Sequence, residues 1–294
     1  KQAGTNFTNS LLVGTSSTGT LSSAEGNTGV GVGVLGALTT GDNNVAVGFN
    51  SLDLNTTGSS NTSIGKDSLK SNTTGVGNTS VGMGTLYSNT TASYNTAIGS
   101  LALDTNTTGA SNTAVGYDAL TANSSGAGNV AIGVNSLDAN TTASNNTAVG
   151  LNSLTTNTTG ADNTAVGRTS MEANTTGSNN VAVGLDSLAL NTTGASNVAV
   201  GYASLAANTT GNNNSALGKD ALKLNTTASS NTAVGNSVLT TNTTGASNTA
   251  VGAGAMFANT EGACNTAVGV DALAANTTGI CNISVGSLSL AANT

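Results

Sequence analysis

A 17-residue repeat runs through the chain and constrains its fold more than any other feature. The unit Asn112-Thr-Ala-Val-Gly-Tyr-Asp-Ala-Leu-Thr-Ala-Asn-Ser-Ser-Gly-Ala-Gly128 begins again at once as Asn129-Val-Ala-Ile-Gly133. The glycine that closes each Asn-Thr-Ala-Val-Gly pentad recurs every 17 residues from Gly14 to Gly286, with no insertion. Such a strict period is typical of architectures in which each unit stacks on its neighbours. The sequence therefore predicts a solenoid of 17 turns.

The composition is compatible with a folded, weakly charged protein. Only 6% of the residues are charged, and there is no proline, histidine or tryptophan. Such polarity can indicate disorder, but Val, Ile and Leu keep a fixed phase in nearly every unit, which predicts a core. The net charge is −7 and the six basic residues are scattered, so no nucleic-acid partner is predicted. No apolar run approaches the roughly 18 residues of a membrane span, so no membrane insertion is predicted.

The repeat divides the chain into two parts. Residues 1–26 are predicted to form an irregular N-terminal capping turn, in which Thr18 stands where later units have leucine. Residues 27–294 are predicted to form one continuous solenoid of 17-residue repeats. Deviation at one end is expected of a cap, because a terminal turn has a neighbour on one side only.

Each unit predicts short strands rather than helices, because Gly, Asn and Thr disfavour helix and the 3.6-residue period is missing. Thr113–Val115 alternates with period two and predicts one strand, and Ala119–Leu120 with its flanks predicts a second, shorter one. Stacked turns about 4.8 Å apart would give a rod roughly 80 Å long. The predicted core residues are Val115, Leu120, Ile132, Leu137, Val149 and Leu154. The predicted turn glycines are Gly116, Gly133, Gly150, Gly167, Gly184 and Gly201.

The middle residue of the pentad strand is alanine in almost every unit and faces away from the Val or Ile side chain. Two large apolar groups per turn cannot offset the entropy of ordering 17 residues, at about 1.5 kcal/mol each. A column of small side chains suits close packing against another chain. The sequence therefore predicts a homo-oligomer, most simply a trimer, that packs through Ala114, Ala131, Ala148 and Ala165.

Two asparagine columns and one threonine column repeat with the same period. Asparagines stacked along the coil axis are predicted to form a structural ladder of hydrogen bonds: Asn112, Asn129, Asn146, Asn163, Asn180 and Asn197. The second column, which includes Asn106 and Asn140, also matches Asn-x-Thr glycosylation sites. The Thr56-Thr57 pair and its copies form an array that could bind ice, unless the two side chains point to opposite sides of a corner.

Cys264 and Cys281 lie one repeat apart. Stacked strands are about 4.8 Å apart, which is inside the Cα range of a disulfide. A disulfide that staples the last turns is predicted, with two buried free thiols as the alternative.

No constellation of catalytic or metal-binding residues is visible. Histidine is lacking, the serines have no neighbouring base, and the acidic residues are mostly at variable positions. Calcium-binding β-rolls need an Asp at a fixed phase in every turn, which this chain lacks. The sequence therefore predicts a non-enzymatic protein without a metal or cofactor. The residue after each pentad glycine varies, and Tyr117 and Tyr202 at this position are candidates for contact with a host-surface glycan or receptor.

The units resemble the Asn-Thr-Ala-Val-Gly-Tyr-x-Ala-Leu-x-x-Asn-Thr-Thr-Gly-x-x arrays of tail-fibre-type proteins of phages and large viruses, and of related bacterial surface proteins. More distantly, Asn129-Val-Ala-Ile-Gly133 is similar to the Ser-Val-Ala-Ile-Gly motif in the head repeats of trimeric autotransporter adhesins. The resemblance covers the chain from Ser10 onward. It implies a left-handed parallel β-roll, commonly trimeric, that serves as a shaft or an adhesive head.

The repeat and the resemblance together predict a non-enzymatic structural or adhesive fibre segment, located outside the cell, on the cell surface or on a virion. The alternative is a subunit of an extracellular filament that assembles by end-to-end stacking. Ice binding is a third interpretation. In the first two, the main partner is the chain itself.

Overall fold

The computed structural model describes residues 7–14 and 19–293 of the chain. It divides into two compact units, an N-terminal unit, Lys1–Asn146, and a C-terminal unit, Thr147–Thr294. Both units confirm the predicted all-β parallel β-solenoid, and together they hold about 16 turns, close to the 17 predicted. No helix occurs in the described ranges.

The described residues of the N-terminal unit form ten short strands in two parallel sheets. β1 pairs only with β3, whereas β2 and β4 to β10 form one ladder in which each strand pairs with the strand 17 residues further on, as Ala114 does with Ala131. The strands are β1 (Phe7–Thr8), β2 (Leu11–Val13), β3 (Ala24–Glu25), β4 (Thr28–Val30), β5 (Val45–Val47), β6 (Thr62–Ile64), β7 (Thr79–Val81), β8 (Thr96–Ile98), β9 (Thr113–Val115) and β10 (Val130–Ile132).

The C-terminal unit repeats the same ladder with nine strands, again parallel and in register, as in the pairing of Ala165 with Ala182. The strands are β11 (Thr147–Val149), β12 (Thr164–Val166), β13 (Val181–Val183), β14 (Val198–Val200), β15 (Ser215–Leu217), β16 (Thr232–Val234), β17 (Thr249–Val251), β18 (Thr266–Val268) and β19 (Ile283–Val285).

The predicted capping turn is described only in part, because residues 1–6 and 15–18, Thr18 among them, lie outside the described residues. In the described part, β2 already pairs with β4 in the 17-residue register. The pairing of β1 with β3 is an additional sheet at this end. The repeat frame therefore extends into the segment predicted to be irregular.

From β4 onward each coil has one strand, and the predicted second strand at Ala119–Leu120 is wrong. This segment is a series of turns, because Asp118 and Leu120 adopt left-handed backbone conformations with φ of 51° and 56°. A left-handed leucine costs about 1–2 kcal/mol, and full burial of its side chain, worth about 1.5–3 kcal/mol, offsets that cost. The turn remains bonded to the next coil, since the Leu120 amide donates to the Ser136 carbonyl at 3.0 Å.

The interior of the coil is narrow, and this reverses the predicted orientation of the strands. The strand alanines Ala114, Ala131, Ala148 and Ala165 are fully buried, so they line the core and not an oligomer face. The predicted core residues Val115, Ile132 and Val149 instead point outward and are half-buried or exposed. Leu120, Leu137 and Leu154 are fully buried.

Two polar substitutions show how little space the core has. Ser63 replaces the strand alanine, and its Oγ lies 2.8 Å from the Oγ of Ser51, which projects from the turn opposite. Side chains at these two positions therefore meet across a narrow interior. The strand position holds alanine or serine in every coil from Ala46 to Ser284, and the larger Leu12 of β2 packs against Gly29. The branched Val or Ile must take the outward positions of the same strand.

The pentad glycine is required by both conformation and space. Gly116 has φ of 142°, a region that side chains rarely adopt, and a Cβ there would lie 2.4 Å from the carbonyl oxygen of Gly133. Gly133, Gly150, Gly167, Gly184 and Gly201 share the positive φ, from 134° to 139°. These glycines let the chain turn immediately after the strand while successive coils stay in contact.

Candidate interaction surfaces

The first asparagine column forms a hydrogen-bonded ladder inside the solenoid. The Asn129 amide nitrogen and its Nδ2 both donate to Oδ1 of Asn112, at 2.9 and 3.2 Å, and Nδ2 of Asn112 donates to the Gly126 carbonyl at 2.9 Å. The same contacts recur in the N-terminal unit at Asn146, which donates to Asn129, and in the C-terminal unit at Asn163, Asn180 and Asn197. Each of these asparagines is buried. The ladder satisfies polar groups that would otherwise be costly to bury.

The second asparagine column is also internal. Nδ2 of Asn123 donates to Oδ1 of Asn106 at 2.9 Å and to the Gly126 carbonyl at 3.0 Å, so that carbonyl links the two columns. Asn106 and Asn140, which lie in potential glycosylation motifs, are fully buried. A buried amide with its donors engaged is not accessible to a glycosylating enzyme in the folded chain.

The second and fourth residues of each pentad point outward from the strands. We call the surface that they form the outer strand face. In the N-terminal unit it comprises Leu11, Val13, Thr28, Val30, Val45, Val47, Thr62, Ile64, Thr79, Val81, Thr96, Ile98, Thr113, Val115, Val130 and Ile132. In the C-terminal unit the equivalent residues run from Thr147 and Val149 to Ile283 and Val285. Every one of these side chains is uncharged, and the exposed fraction of the largest ranges from about 40% at Ile98 and Ile132 to 75% at Ile283.

The paired threonines lie at a corner and point to opposite sides. Thr56 is half-buried, and its Oγ1 donates to the Thr73 carbonyl at 3.0 Å, whereas Thr57 is exposed. The hydroxyls of one threonine column are therefore used within the solenoid. The corner does not present a flat array of paired threonines.

The two cysteines are free thiols, and both are exposed, so the predicted disulfide is wrong and the thiols are not buried. Cys264 and Cys281 have nearly the same φ, 57° and 58°, and stack in register. Side chains in register point in the same direction, so their Cβ atoms are separated by about the 4.8 Å coil spacing. That distance exceeds the ~3.5–4.5 Å between Cβ atoms in disulfides.

The positions one, two and five residues after the pentad glycine form three parallel columns on the turn side of each coil. Tyr117 and Tyr202 belong to the first column and are 52% and 46% exposed. The pKa of Tyr117 is raised by its hydrogen bond to Asp118 and by the charge of that carboxylate. At the second-column position most coils have a residue with a side chain, whereas the coil that contains Met83 has Gly84 there.

Gly84 opens a cleft of about 320 Å³ in the N-terminal unit. Met83, Tyr87 and Leu101 supply its apolar surface, and Lys66, Asp67 and Asp104 supply its charged groups. Sequence reasoning missed this site because no residue in it forms a motif. The only signal was a glycine at a column position where neighbouring coils have Asp67 and Leu101.

The charges around the cleft are unevenly paired. Asp67 lies 3.4 Å from Nζ of Lys70 and 3.8 Å from Nζ of Lys66. Lys70 also lies over the Tyr87 ring, 5.4 Å from its centroid. Asp104 has no salt bridge and no side-chain hydrogen bond within the described part of the chain, and its pKa is raised by partial burial and by the negative charge of Asp118.

Residues 7–14 and 19–293 contain no group of three or more His, Cys, Asp or Glu side chains placed to hold a metal ion. Within them there is also no helix of the length and apolarity that crossing a membrane requires.

Comparison of the chain with protein-family models and with curated proteins gave no match.

Proposed function

We propose that this protein is a non-enzymatic structural segment of an extracellular or virion fibre or surface adhesin, and that copies of it associate through the outer strand face. The observation that carries the proposal is the uncharged, repetitive surface of Thr, Val and Ile side chains on the strands of each unit. The resemblance to fibre and adhesin repeats favours a trimeric, left-handed assembly. The lack of histidine and of any serine–base pair in the sequence supports a non-catalytic role.

The physical character of this face supports self-association. Contiguous exposed apolar patches larger than a few hundred Å² are uncommon on monomeric proteins and often mark interaction sites. Covering one half-exposed Val or Ile contributes roughly 1 kcal/mol, and the face repeats this contribution at every coil. A second copy of the chain has the same coil spacing. Each row of exposed side chains on one copy could therefore pack against the equivalent row on the other.

The test is the solution mass of the intact protein and of charged variants, measured by light scattering over a concentration series. The variant Ile98→Lys, Ile132→Lys places two charges on the outer strand face. The control Val32→Lys, Val134→Lys places two charges in the column that follows the pentad glycines, where both valines are also exposed, at 61% and 42%. All four positions lie in the N-terminal unit, so the two variants differ in the face that they alter.

We expect an oligomer for the natural protein and for the control, and a lower mass for the strand-face variant. A monomeric natural protein at all concentrations would overturn self-association. Equal loss of mass in both variants would show that the outer strand face is not the interface. Electron microscopy of the oligomer then distinguishes discrete rods from long filaments.

The same face favours ice binding as a second candidate function. Threonine and valine alternate along the strands, and identical rows repeat at the coil spacing, which presents hydroxyl and methyl groups in a regular array. The array lies on the strands and not at the paired-threonine corner. Thermal hysteresis of the natural protein that is lost in Ile98→Lys, Ile132→Lys would support it, and its absence in the natural protein would eliminate it.

A further inference from the structure

We propose that the cleft at Gly84 is a binding site for a neutral saccharide. This inference deepens the adhesive part of the proposed function by giving it a ligand class and a location. It stands on the chemistry of the cleft alone and does not require the chain to oligomerise.

The cleft lies at Gly84, one of three glycines, with Gly33 and Gly254, in a column that otherwise carries side chains. Gly84 lies between Asp67 of the preceding coil and Leu101 of the following coil, and Cδ2 of Leu101 lies 2.9 Å from the place that a Cβ of residue 84 would take. Leu101 therefore forms one wall of the notch, which opens to solvent on its other side. Its volume, about 320 Å³, is at the lower end of the ~300–1,000 Å³ typical of small-molecule sites. An open notch of this size suits one or two sugar rings better than a large or fully enclosed ligand.

The apolar part of the cleft matches one side of a pyranose. Tyr87 is 37% exposed and Met83 is 54% exposed, and Leu101 lies beside them. The C–H groups on one face of a sugar ring pack on aromatic and aliphatic surfaces of this kind. Lys70 already covers the Tyr87 ring on one side, which holds the ring in place for a ligand on the cleft side.

The polar part of the cleft matches sugar hydroxyl groups, which both donate and accept hydrogen bonds. The carboxylate of Asp104 is an acceptor that lacks a partner among the described residues. The ammonium of Lys66 is a donor, is 62% exposed, and has only a long 3.8 Å contact with Asp67. Acceptor and donor therefore border the same apolar surface.

The local charge favours a neutral ligand over an ion. Lys66 and Lys70 offset Asp67 and Asp104 at the cleft itself, and Asp53 and Asp118 beside them leave the surroundings mildly negative. A cationic ligand would meet two ammonium groups, and an anionic ligand would meet two carboxylates. A ligand with hydroxyl groups can accept hydrogen bonds from the ammonium groups and donate hydrogen bonds to the carboxylates, and it adds no charge.

The repeat itself provides a variant that fills the cleft without straining the backbone. Gly84 has φ of 64°, and the same column holds asparagine in a left-handed conformation elsewhere, at Asn50 with φ of 52° and Asn135 with φ of 53°. Gly84→Asn is therefore expected to fold and to close the notch. Gly254→Asn is the matched control, because Gly254 occupies the same column with φ of 67° and lies in the other unit, away from the cleft.

The experiment is saturation-transfer NMR on the full chain with methyl glycosides of glucose, galactose, mannose and N-acetylglucosamine at millimolar concentration. Glucosamine and glucuronate are the cationic and anionic probes. We expect transfer to at least one neutral glycoside, loss of transfer in Gly84→Asn, and no change in Gly254→Asn. Tyr87→Leu is expected to weaken binding by about tenfold, the amount that a stacked ring contributes.

Three results would overturn the proposal: no transfer to any neutral glycoside, equal transfer in the natural protein and Gly84→Asn, or a stronger response to a charged probe than to every neutral glycoside. The light-scattering test of self-association is a separate measurement. If the protein is an oligomer but binds no saccharide, the proposed fibre function is retained and the saccharide site is rejected. If the protein is a monomer that binds a saccharide, the site at Gly84 is retained and self-association is rejected.

Discussion

Replacing one asparagine of the internal ladder tests whether hydrogen bonds, rather than apolar burial alone, hold the coils together. In Asn112→Leu, the Asn129 amide N–H loses the Oδ1 acceptor that lies 2.9 Å away. The bonds from Asn129 Nδ2 to Asn112, and from Asn112 Nδ2 to Gly126, are also lost. The remaining partners are still satisfied, since the Gly126 carbonyl keeps its bond from Asn123 and Asn129 Nδ2 keeps its bond to Ala143.

The magnitude follows from these contacts. A buried amide left without an acceptor costs about 1–3 kcal/mol, and each lost hydrogen bond contributes about 0.5–1.5 kcal/mol net. Asn112→Leu is therefore expected to lower the local free energy of opening by about 2–6 kcal/mol. Coils of a solenoid contact only their neighbours, so the effect should be concentrated around the two coils that meet at Asn112.

The assay is native-state hydrogen exchange with peptide resolution, supported by urea unfolding followed by circular dichroism. Amides in the coil that begins at Asn129 should exchange about thirtyfold faster or more, since 1.4 kcal/mol is a factor of ten. Thr113→Val is the control, because Val130 occupies the same outward column, and its effect should stay within about 0.5 kcal/mol. Exchange in Asn112→Leu that matches the control would refute the view that the ladder is a main source of stability.

Three further predictions follow from single features of the structure. Gly116→Ala should destabilise the protein by about 1–3 kcal/mol or more in urea unfolding, because φ is 142° and a Cβ would lie against the Gly133 carbonyl oxygen. The pKa of Asp138 is raised by burial and by the charge of Asp118, against a hydrogen bond from Thr121 that lowers it. The protonated Asp138 carboxyl therefore stabilises the fold below the pKa that Asp138 has in the unfolded chain, and this contribution is lost as pH rises through the pKa in the folded protein. Asp138→Asn should accordingly raise the urea midpoint of unfolding at pH 7 and leave that midpoint unchanged near pH 3. Both cysteines should react rapidly with a thiol reagent in the native protein, and slow reaction would contradict their exposure.

The asparagine columns could be predicted from the sequence, whereas the cleft at Gly84 could not. The asparagine columns were visible because side chains one period apart must stack in any solenoid, whatever the cross-section of the coil. The cleft at Gly84 was not visible, because it depends on which residues of three different coils become neighbours on the turn side. Met83, Tyr87 and Asp104 have no common spacing that would indicate a site before the columns are known.

The pairing of cysteines could not be decided from spacing alone. One period fixes the separation of the two Cα atoms at about the coil spacing, which a disulfide allows. Whether the sulfurs can meet depends on the direction of each Cα–Cβ bond, and in-register stacking makes the two directions parallel. The side-chain direction is a property of the coil and not of the interval between Cys264 and Cys281.

The sequence by itself determined the period, the parallel in-register stacking, the turn glycines, the buried leucine column and the alternation of the strand. These follow from an exact 17-residue repeat, because identical residues must lie above one another. The tertiary structure alone decided which side of the strand is the core. Alternation in Thr113–Val115 allows Ala114 to face inward or outward, and hydrophobicity favours valine inside. Closure of a 17-residue coil leaves a narrow interior, in which the strand position opposite the turn is alanine or serine in every coil from Ala46 to Ser284. Volume therefore overrides hydrophobicity and places the valines and isoleucines on the surface.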